Sequence, residues 1–313
     1  MKHIKFFKTK AERDAAEVER PYVIYIKDVN KLEFADEYPI RTDSNPELMA
    51  VVHNLGWAAN SDYMTEEECE AVTDAMLASS VTSNTSAFTS IISFNELVYF
   101  KNISVIPDYC FYNCQNLSSI QFPKGIVEIG ANAFRKCISL TSIELPNNLQ
   151  TLGDGAFMTV PLELAVVPAS CSNIGSNVFY LDDNMTQGTK RIDFSLTNIT
   201  KTPNATYRNN PIWVKLPSTC TGSNGGNIIG NSGYTPKGWI WFNCTSPYTG
   251  TYGDVIGSKK TVRVYVPDDY VDVWKASSVK YSSSSSSTWA NYSSNIYPHS
   301  QWETDKNNGV IDV

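Results

Sequence analysis

Apolar and polar positions repeat through the middle of the chain with a period near 23 residues. Four segments of one pattern each end in a phenylalanine, and the phenylalanines are spaced 23, 23 and 22 residues apart: Phe111, Phe134, Phe157 and Phe179. After each of the first three come three spaced apolar positions and a proline, as in Leu140, Ile143, Leu145 and Pro146. This period indicates a solenoid in which each coil buries its apolar face against its neighbours.

Each coil is expected to contain a short parallel strand centred on Ile120, Ile143 or Ala165, because apolar and polar residues alternate there. The proline that follows ends the strand by removing a ladder donor. The phenylalanines fill the far side of the coil, so we expect both Phe134 and Ile143 to be fully buried. One glycine in each coil suits a tight turn: Gly130, Gly153 and Gly175.

Seven cysteines form an odd and scattered set, which does not indicate a disulfide framework. Cys114 and Cys137 occupy the same position in consecutive coils. We expect them to stay reduced as a ladder of small buried thiols, in preference to a redox pair. The cysteine and histidine spacings do not predict a metal site.

The repeated pattern Ile-Gly-x-x-Ala-Phe, followed by x-x-Cys-x-x-Leu-x-x-Ile-x-Leu-Pro, resembles the BspA-like leucine-rich repeats over residues 104–180. This family includes bacterial surface adhesins and related gut-bacterial and protist proteins. The resemblance implies a β-rich repeat solenoid with short parallel strands, closed by a helical N-cap and a C-terminal cap. We divide the chain into a small α+β docking module (1–43), a helical linker and N-cap (44–103), the solenoid (104–250) and a terminal strand with the C-cap (251–313).

The ends of the chain fit the same resemblance. The segment 93–100 is similar to the lead-in of such arrays, and residues 262–276 resemble a closing strand and helix, with Trp289 and residues 296–298 trailing behind. Degenerate coils are expected at 212–217 and 239–242. Capping boxes at Ser44 to Glu47 and Thr65 to Glu68 predict helices that run towards Gly56 and to about Ala78 and that cover the first coil.

The first 43 residues predict a strand at 4–7, a short helix at 9–18 and a hairpin of 22–26 with 32–34. This module is similar to N-terminal segments of virion proteins of tailed phages that infect gut bacteria. Five aromatic residues are candidates for docking to a particle: Phe6, Phe7, Tyr22, Tyr25 and Phe34.

Composition narrows the possible functions. A net charge of −7 and a pI near 5.1 give no basic field for nucleic acid. The sequence has no apolar run of signal-peptide or membrane-span length, so we expect a protein kept in the cytoplasm or exported without such a signal. Catalytic motifs and cofactor motifs are not found, so we expect a protein that is not an enzyme and needs no cofactor. Asp182, Asp183 and Asn184 bring together oxygen ligands that suit calcium, but no fuller ligand pattern accompanies them, so we do not predict a calcium site there.

The residues that point outward from the predicted sheet change from small and polar to aromatic along the array. This change suggests a contact face for protein or glycan, because exposed tryptophans are enriched at interaction sites. Its candidate residues are Arg191, Asp193, Trp213, Lys215, Trp239, Trp241, Arg263 and Tyr265. The alternative, given equal weight, is that the C-terminal cap covers these rings.

Two hypotheses for the function follow. The first is a non-enzymatic virion protein of a gut-bacterial phage, docked through residues 1–43, whose solenoid contacts other virion proteins or a protein or glycan of the host surface. The second is a bacterial BspA-like surface adhesin or scaffold. A homo-oligomer is compatible with either.

Overall fold

The structure is a computed structural model. It describes the backbone of four strands in the first 43 residues, and then residues 44–180, 189–202, 213–223, 239–247, 262–279 and 288–311. The chain divides into two compact units, Met1–Cys69 and Glu70–Val313.

The first unit contains a three-stranded sheet, which confirms the predicted strand and hairpin. Strand β1 runs parallel to β2, and β2 runs antiparallel to β3. A second, antiparallel pair joins β4 to β5. The elements in chain order are β1 (Ile4–Phe7), β2 (Val23–Ile26), β3 (Lys31–Phe34), β4 (Ile40–Arg41), α1 (Pro46–Asn54) and β5 (Tyr63–Met64). The helix predicted at 9–18 lies outside the described residues.

The predicted helices are present, with corrections to their ends. The N-cap of α1 is Asn45 rather than Ser44, because the Asn45 side chain accepts a hydrogen bond from the backbone of Leu48. The capping box at Thr65 is confirmed: Glu68 N donates to Thr65 Oγ1 over 3.1 Å, and Thr65 N donates to the Glu68 carboxylate over 2.8 Å. The helix that was predicted through Ala78 is instead two helices, α2 (Glu66–Ala71) and α3 (Asp74–Ser79).

The second unit is a parallel β-solenoid, as predicted. Its strands and helices in chain order are β6 (Val81–Thr82), β7 (Thr85–Ser86), β8 (Ser93–Phe94), β9 (Val105–Ile106), β10 (Ser119–Ile120), β11 (Glu128–Ile129), β12 (Thr151–Leu152), β13 (Ala165–Val166), β14 (Asn173–Ile174), β15 (Arg191–Asp193), β16 (Lys201–Thr202), β17 (Trp213–Leu216), β18 (Gly222–Ser223), β19 (Trp239–Phe242), β20 (Arg263–Val266), α4 (Val271–Lys275), β21 (Ile296–Pro298) and α5 (Trp302–Asn307).

Successive coils contribute to two parallel ladders. One ladder joins β9, β11, β12 and β14. The other starts with β8 and β10 and continues, after an interruption, through β13, β15, β17, β19, β20 and β21. The prediction of a strand at Ile143 is wrong, because residues 141–146 form no strand and the Ile143 side chain is only partly buried. The interruption falls at this coil.

A stack of phenylalanine rings runs through the coils, as predicted for the far side of the solenoid. Phe111, Phe134 and Phe157 are fully buried and Phe179 nearly so. The centroids of consecutive rings lie 5.0, 5.2 and 5.8 Å apart, with planes within 22° of parallel. The repeat therefore places one aromatic ring per coil in register with the next.

The repeated glycines serve close approach between coils rather than a tight turn. A Cβ on Gly153 would lie 2.5 Å from the backbone nitrogen of Ala131 and 2.6 Å from the carbonyl carbon of Gly130. A Cβ on Gly130 or on Gly175 would likewise lie less than 3 Å from backbone atoms of the preceding coil. A side chain at these positions would push neighbouring coils apart.

All seven cysteines are buried, and none of them forms a disulfide. Burial raises the pKa of the Cys114 thiol to about 12 and also raises that of Cys137, whose Sγ donates to the carbonyl of Phe111. The structure thus agrees with the predicted ladder of reduced thiols.

Both ends of the solenoid are covered. At the start, the Asp74 carboxylate at the N-terminus of α3 accepts hydrogen bonds from the backbone of Ser104 and Val105. At the other end, the predicted strand and helix are β20 and α4, and Trp289 is fully buried. Helix α5 was not predicted.

Candidate interaction surface on the parallel sheet

The register of the second ladder aligns outward side chains in two rows. The first row contains Val166, Asp193, Lys215, Trp241, Tyr265 and Tyr297, each paired with the next across adjacent strands. The second row contains Arg191, Trp213, Trp239 and Arg263 in the same order. Leu164 precedes β13 beside this second row. The predicted face is therefore one continuous surface.

The prediction of an exposed aromatic face is wrong for three of its residues. Trp213 is only 6% exposed to solvent, and Trp239 and Tyr265 are fully buried. They form one cluster with Ile311, and the ring of Trp302 in α5 packs edge-on against Trp239. The C-terminal cap therefore covers these rings, as the alternative interpretation proposed.

Polar contacts fix the cap on this surface. Asp305 of α5 accepts a hydrogen bond from Arg263 over 2.6 Å and another from the Tyr265 hydroxyl over 2.5 Å. Burial and the neighbouring Asp305 carboxylate raise the pKa of Tyr265 well above its usual range, so this hydroxyl is a donor at neutral pH. The His299 ring stacks on Trp241 at 3.9 Å between centroids.

A band of charged residues lies between the covered and the exposed parts of the surface. Arg191 Nε donates to the carbonyl oxygen of Glu163, and Lys215 Nζ lies 3.9 Å from an Asp193 carboxylate oxygen. The same ammonium lies 5.7 Å from the centre of the Trp241 ring. These side chains are half-buried and held in place, which makes the band a preformed polar rim.

Two apolar side chains remain exposed at the start of the long sheet. Leu164 is 37% exposed to solvent, and Val166 is 40% exposed. They lie directly beside the charged band, since Val166 pairs with Asp193. We call these two residues, together with Arg191, Asp193 and Lys215, the open face. An apolar centre with a charged rim is the composition of a protein contact site.

A cavity of about 650 Å³ opens one coil earlier, where the ladder is interrupted. Its lining comes from three successive coils: Val98, Ile120, Gln121, Phe122, Pro123, Lys124, Glu144, Leu145, Pro146, Asn147 and Asn148. The sequence did not single out this cavity, because residues 141–146 carry the same pattern as residues 118–123. No local signal separates the coil that leaves the ladder from the coil that forms it.

The repeats match a known family model. Residues 66–210 match the BspA type leucine-rich repeat region in six copies. Over these residues the chain is similar to BspA-type leucine-rich repeats. The match begins before the predicted start of the solenoid at residue 104 and includes the two helices α2 and α3.

The similarity to a solved structure is low. A crystal structure of a leucine-rich repeat protein from Bacteroides ovatus is 16% identical, with a TM-score of 0.34. The similarity covers 61% of this chain and 64% of that chain, which is less than two thirds of its length. No curated protein matches this chain.

The side chains of the five docking candidates are not among those that the structure describes. The docking candidates Phe6, Phe7, Tyr25 and Phe34 lie on strands of which only the backbone is described, and Tyr22 lies outside the described residues. The loop with Asp182 and Asp183 also lies outside the described residues.

Within the described ranges, no group of three His, Cys, Asp or Glu residues could hold a metal ion. No helix in these ranges is long and apolar enough to cross a membrane.

Proposed function

We propose that this chain is a non-enzymatic contact protein that binds another protein through its open face. The observation that supports this proposal is the exposed pair Leu164 and Val166, which lies beside a held band of charged residues on the sheet. BspA-type repeats are suited to protein contact, because a solenoid presents a long and regular surface. An apolar centre with a polar rim is the usual arrangement of such interfaces.

The test compares partner capture by the native chain with capture by a double variant, Leu164→Ser with Val166→Ser. Both side chains are exposed, so the substitutions leave folding intact while removing the apolar centre. Leu196→Ser is the matched control, because Leu196 is 56% exposed but lies after β15, off the open face. We expect cross-linked partners to be lost only in the double variant. Equal capture by all three proteins would refute the open face as the binding site.

For the location of the protein, we propose the virion of a tailed phage of gut bacteria, with residues 1–43 as the docking module. The small sheet of β1 to β3 supports this, since it belongs to the compact unit Met1–Cys69 and not to the unit of the solenoid. That unit extends past residue 43 and also contains α1 and β5. The repeat match supports a second candidate equally well, a bacterial surface adhesin or scaffold.

Mass spectrometry of purified particles and of cell-surface fractions separates these two locations. A chain found in particles at fixed stoichiometry, and lost from them when residues 1–43 are deleted, supports the virion. A chain found only on the bacterial surface supports the adhesin and excludes docking to a particle. The deletion variant must retain the cooperative unfolding of the solenoid, which serves as the folding control.

A further inference from the structure

Helix α5 lies over the outward side of the sheet with few contacts of its own. Asp305 is the one buried residue among its six, and Trp302 packs edge-on against Trp239 and Trp241. Ile311, four residues after the end of the helix, joins the same cluster. A helix of six residues is not stable in isolation, so α5 keeps its form only while it rests on the sheet.

The interior of the last coils is covered by other parts of the cap. Trp274 and Trp289 are fully buried and pack against Phe242, with ring centroids 4.9 and 5.9 Å from its own. Phe242 follows Trp241 on β19, so the two side chains point to opposite sides of the sheet. Helix α5 therefore covers the outward rings, whereas α4 and Trp289 cover the interior.

The fit between α5 and the rings beneath it is incomplete. The indole nitrogens of Trp213 and Trp302 are buried, and neither has a hydrogen-bond partner among the residues that the structure describes. A buried indole N–H usually has an acceptor, and leaving it without one destabilises the contact. The surface under α5 is thus better matched to a ligand that supplies an acceptor than to α5 itself.

The covered surface is continuous with the open face. Trp213 pairs in register with Arg191, and Trp241 pairs with Lys215. Lys215 Nζ also lies 5.4 Å from the centre of the Trp213 ring. A partner seated on the open face therefore lies beside these rings, and each ring that α5 uncovered would enlarge the contact. Buried aromatic side chains are the residues that contribute most to the energy of protein interfaces.

We propose that α5 is an autoinhibitory strap, which occupies the place of a short helical segment of the partner protein. The inference rests on the proposed function and adds its regulation. The partner segment should present an aromatic residue and, three residues later, an acid, because Trp302 and Asp305 have this spacing on one face of α5. These two side chains contact Trp239 and Arg263. The segment should also carry an acceptor for Trp213 Nε1, which α5 does not supply.

A labelled peptide of residues 299–311 tests whether the strap can be replaced, with fluorescence anisotropy against the full chain as the measurement. Asp305→Ala and Trp302→Ala weaken the strap without changing the surface beneath it. Both variants should bind the peptide at least about tenfold more tightly than the native chain does. Glu303→Ala is the matched control, because Glu303 is exposed on the same helix, and it should bind like the native chain. A peptide with the Asp305→Ala change should bind the two variants at least about tenfold more weakly.

Partner capture tests whether the strap inhibits binding. The protein to follow is the one that the native chain captures and that the double variant of Leu164 and Val166 loses. The chains with Asp305→Ala or Trp302→Ala should capture at least about fivefold more of it than the native chain. An excess of the peptide of residues 299–311 should cancel this increase. A cap with a purely structural role predicts unchanged or weaker capture, because its loss would only loosen the fold.

Equal peptide binding by the native chain and both strap variants, or capture that does not rise in these variants, would overturn the strap while the proposed function stands. If the double variant of Leu164 and Val166 retains every partner, the proposed function fails, and the strap fails with it even where the peptide binds as expected. Asp305→Ala and Trp302→Ala remove different contacts of α5, so one that does not fold leaves the test to the other. If neither folds, α5 is an integral part of the solenoid and the strap is refuted.

Discussion

The carboxylate of Asp305 lies 2.6 Å from the guanidinium of Arg263 and accepts a second hydrogen bond from Tyr265, both on strand β20. Asp305 is almost fully buried, and Arg263 is mostly so. This contact holds α5, which contains Trp302, against Trp239 and closes the solenoid. A cap is needed there because the last coil of a solenoid otherwise exposes its apolar surface.

The first prediction follows from that contact. Asp305→Ala should destabilise the chain by about 3 kcal/mol, because it leaves the Arg263 charge and the Tyr265 hydroxyl without their partner in a buried site. Urea unfolding followed by tryptophan fluorescence measures the change. Glu303→Ala, on an exposed position of the same helix, is the control and should change stability little. Equal midpoints for the two variants would show that the contact does not hold the cap.

The second prediction concerns the phenylalanine stack. Phe134→Ala should cost about 3–5 kcal/mol, because it removes a fully buried ring that stacks on Phe111 and Phe157 and leaves a cavity. Ile138→Ala, in the same coil, is the matched control, since its side chain is 41% exposed. Thermal or denaturant unfolding measures the loss of stability in each of the two variants. A loss below about 1 kcal/mol for Phe134 would contradict the register of the stack.

The third prediction tests the close approach of coils. Gly153→Ala should destabilise the solenoid, because the added Cβ meets backbone atoms of Gly130 and Ala131 that cannot move aside alone. Gly125→Ala is the control, since its Cβ would lie 3.4 Å from the carbonyl oxygen of Ile103 in ordinary contact. Melting temperatures of the two variants should therefore differ. Similar values would mean that the coils can separate without cost.

Sequence periodicity predicted the solenoid and the phenylalanines on its far side, because both follow from one repeated local pattern. The closing strand was predicted from the resemblance to BspA-like repeats. Periodicity left open whether Trp213 and Trp239 are exposed or covered by the C-terminal cap, because the helix that covers them, α5, lies far along the chain and has no repeat pattern. Alternation shows only which side of a strand a residue occupies, whereas exposure depends on what packs there.

The interrupted ladder illustrates the same limit at short range. Residues 118–123 and 141–146 share one pattern, yet only the former contain a strand. The difference lies in backbone pairing between coils, which depends on the combined packing of three coils. The cavity and the open face could therefore be located only from the structure.

The last prediction is a pH dependence of the C-terminal cap. His299 stacks on Trp241, and its Nε2 lies 2.9 Å from the carbonyl oxygen of Phe242. Burial lowers the pKa of His299 from its ordinary value of 6.5, despite the opposing effect of Asp268. In the unfolded chain the imidazole takes up a proton near pH 6.5, whereas in the folded chain it does so only at lower pH. The cap should therefore be fully stable above this value and lose stability as the pH falls below it.

Unfolding midpoints between about pH 5 and 7 measure this effect, because histidine is the side chain that titrates in that range. Asp268 does not interfere there, since its pKa is lowered from 3.8 and its own contribution is lost only at still lower pH. His299→Asn can retain a donor towards Phe242 but has no titratable ring, so its midpoint should change less with pH than that of the native chain. Parallel curves for the two proteins would show that His299 does not couple the cap to pH, whereas curves that converge as the pH falls would assign the loss of stability to this one ring.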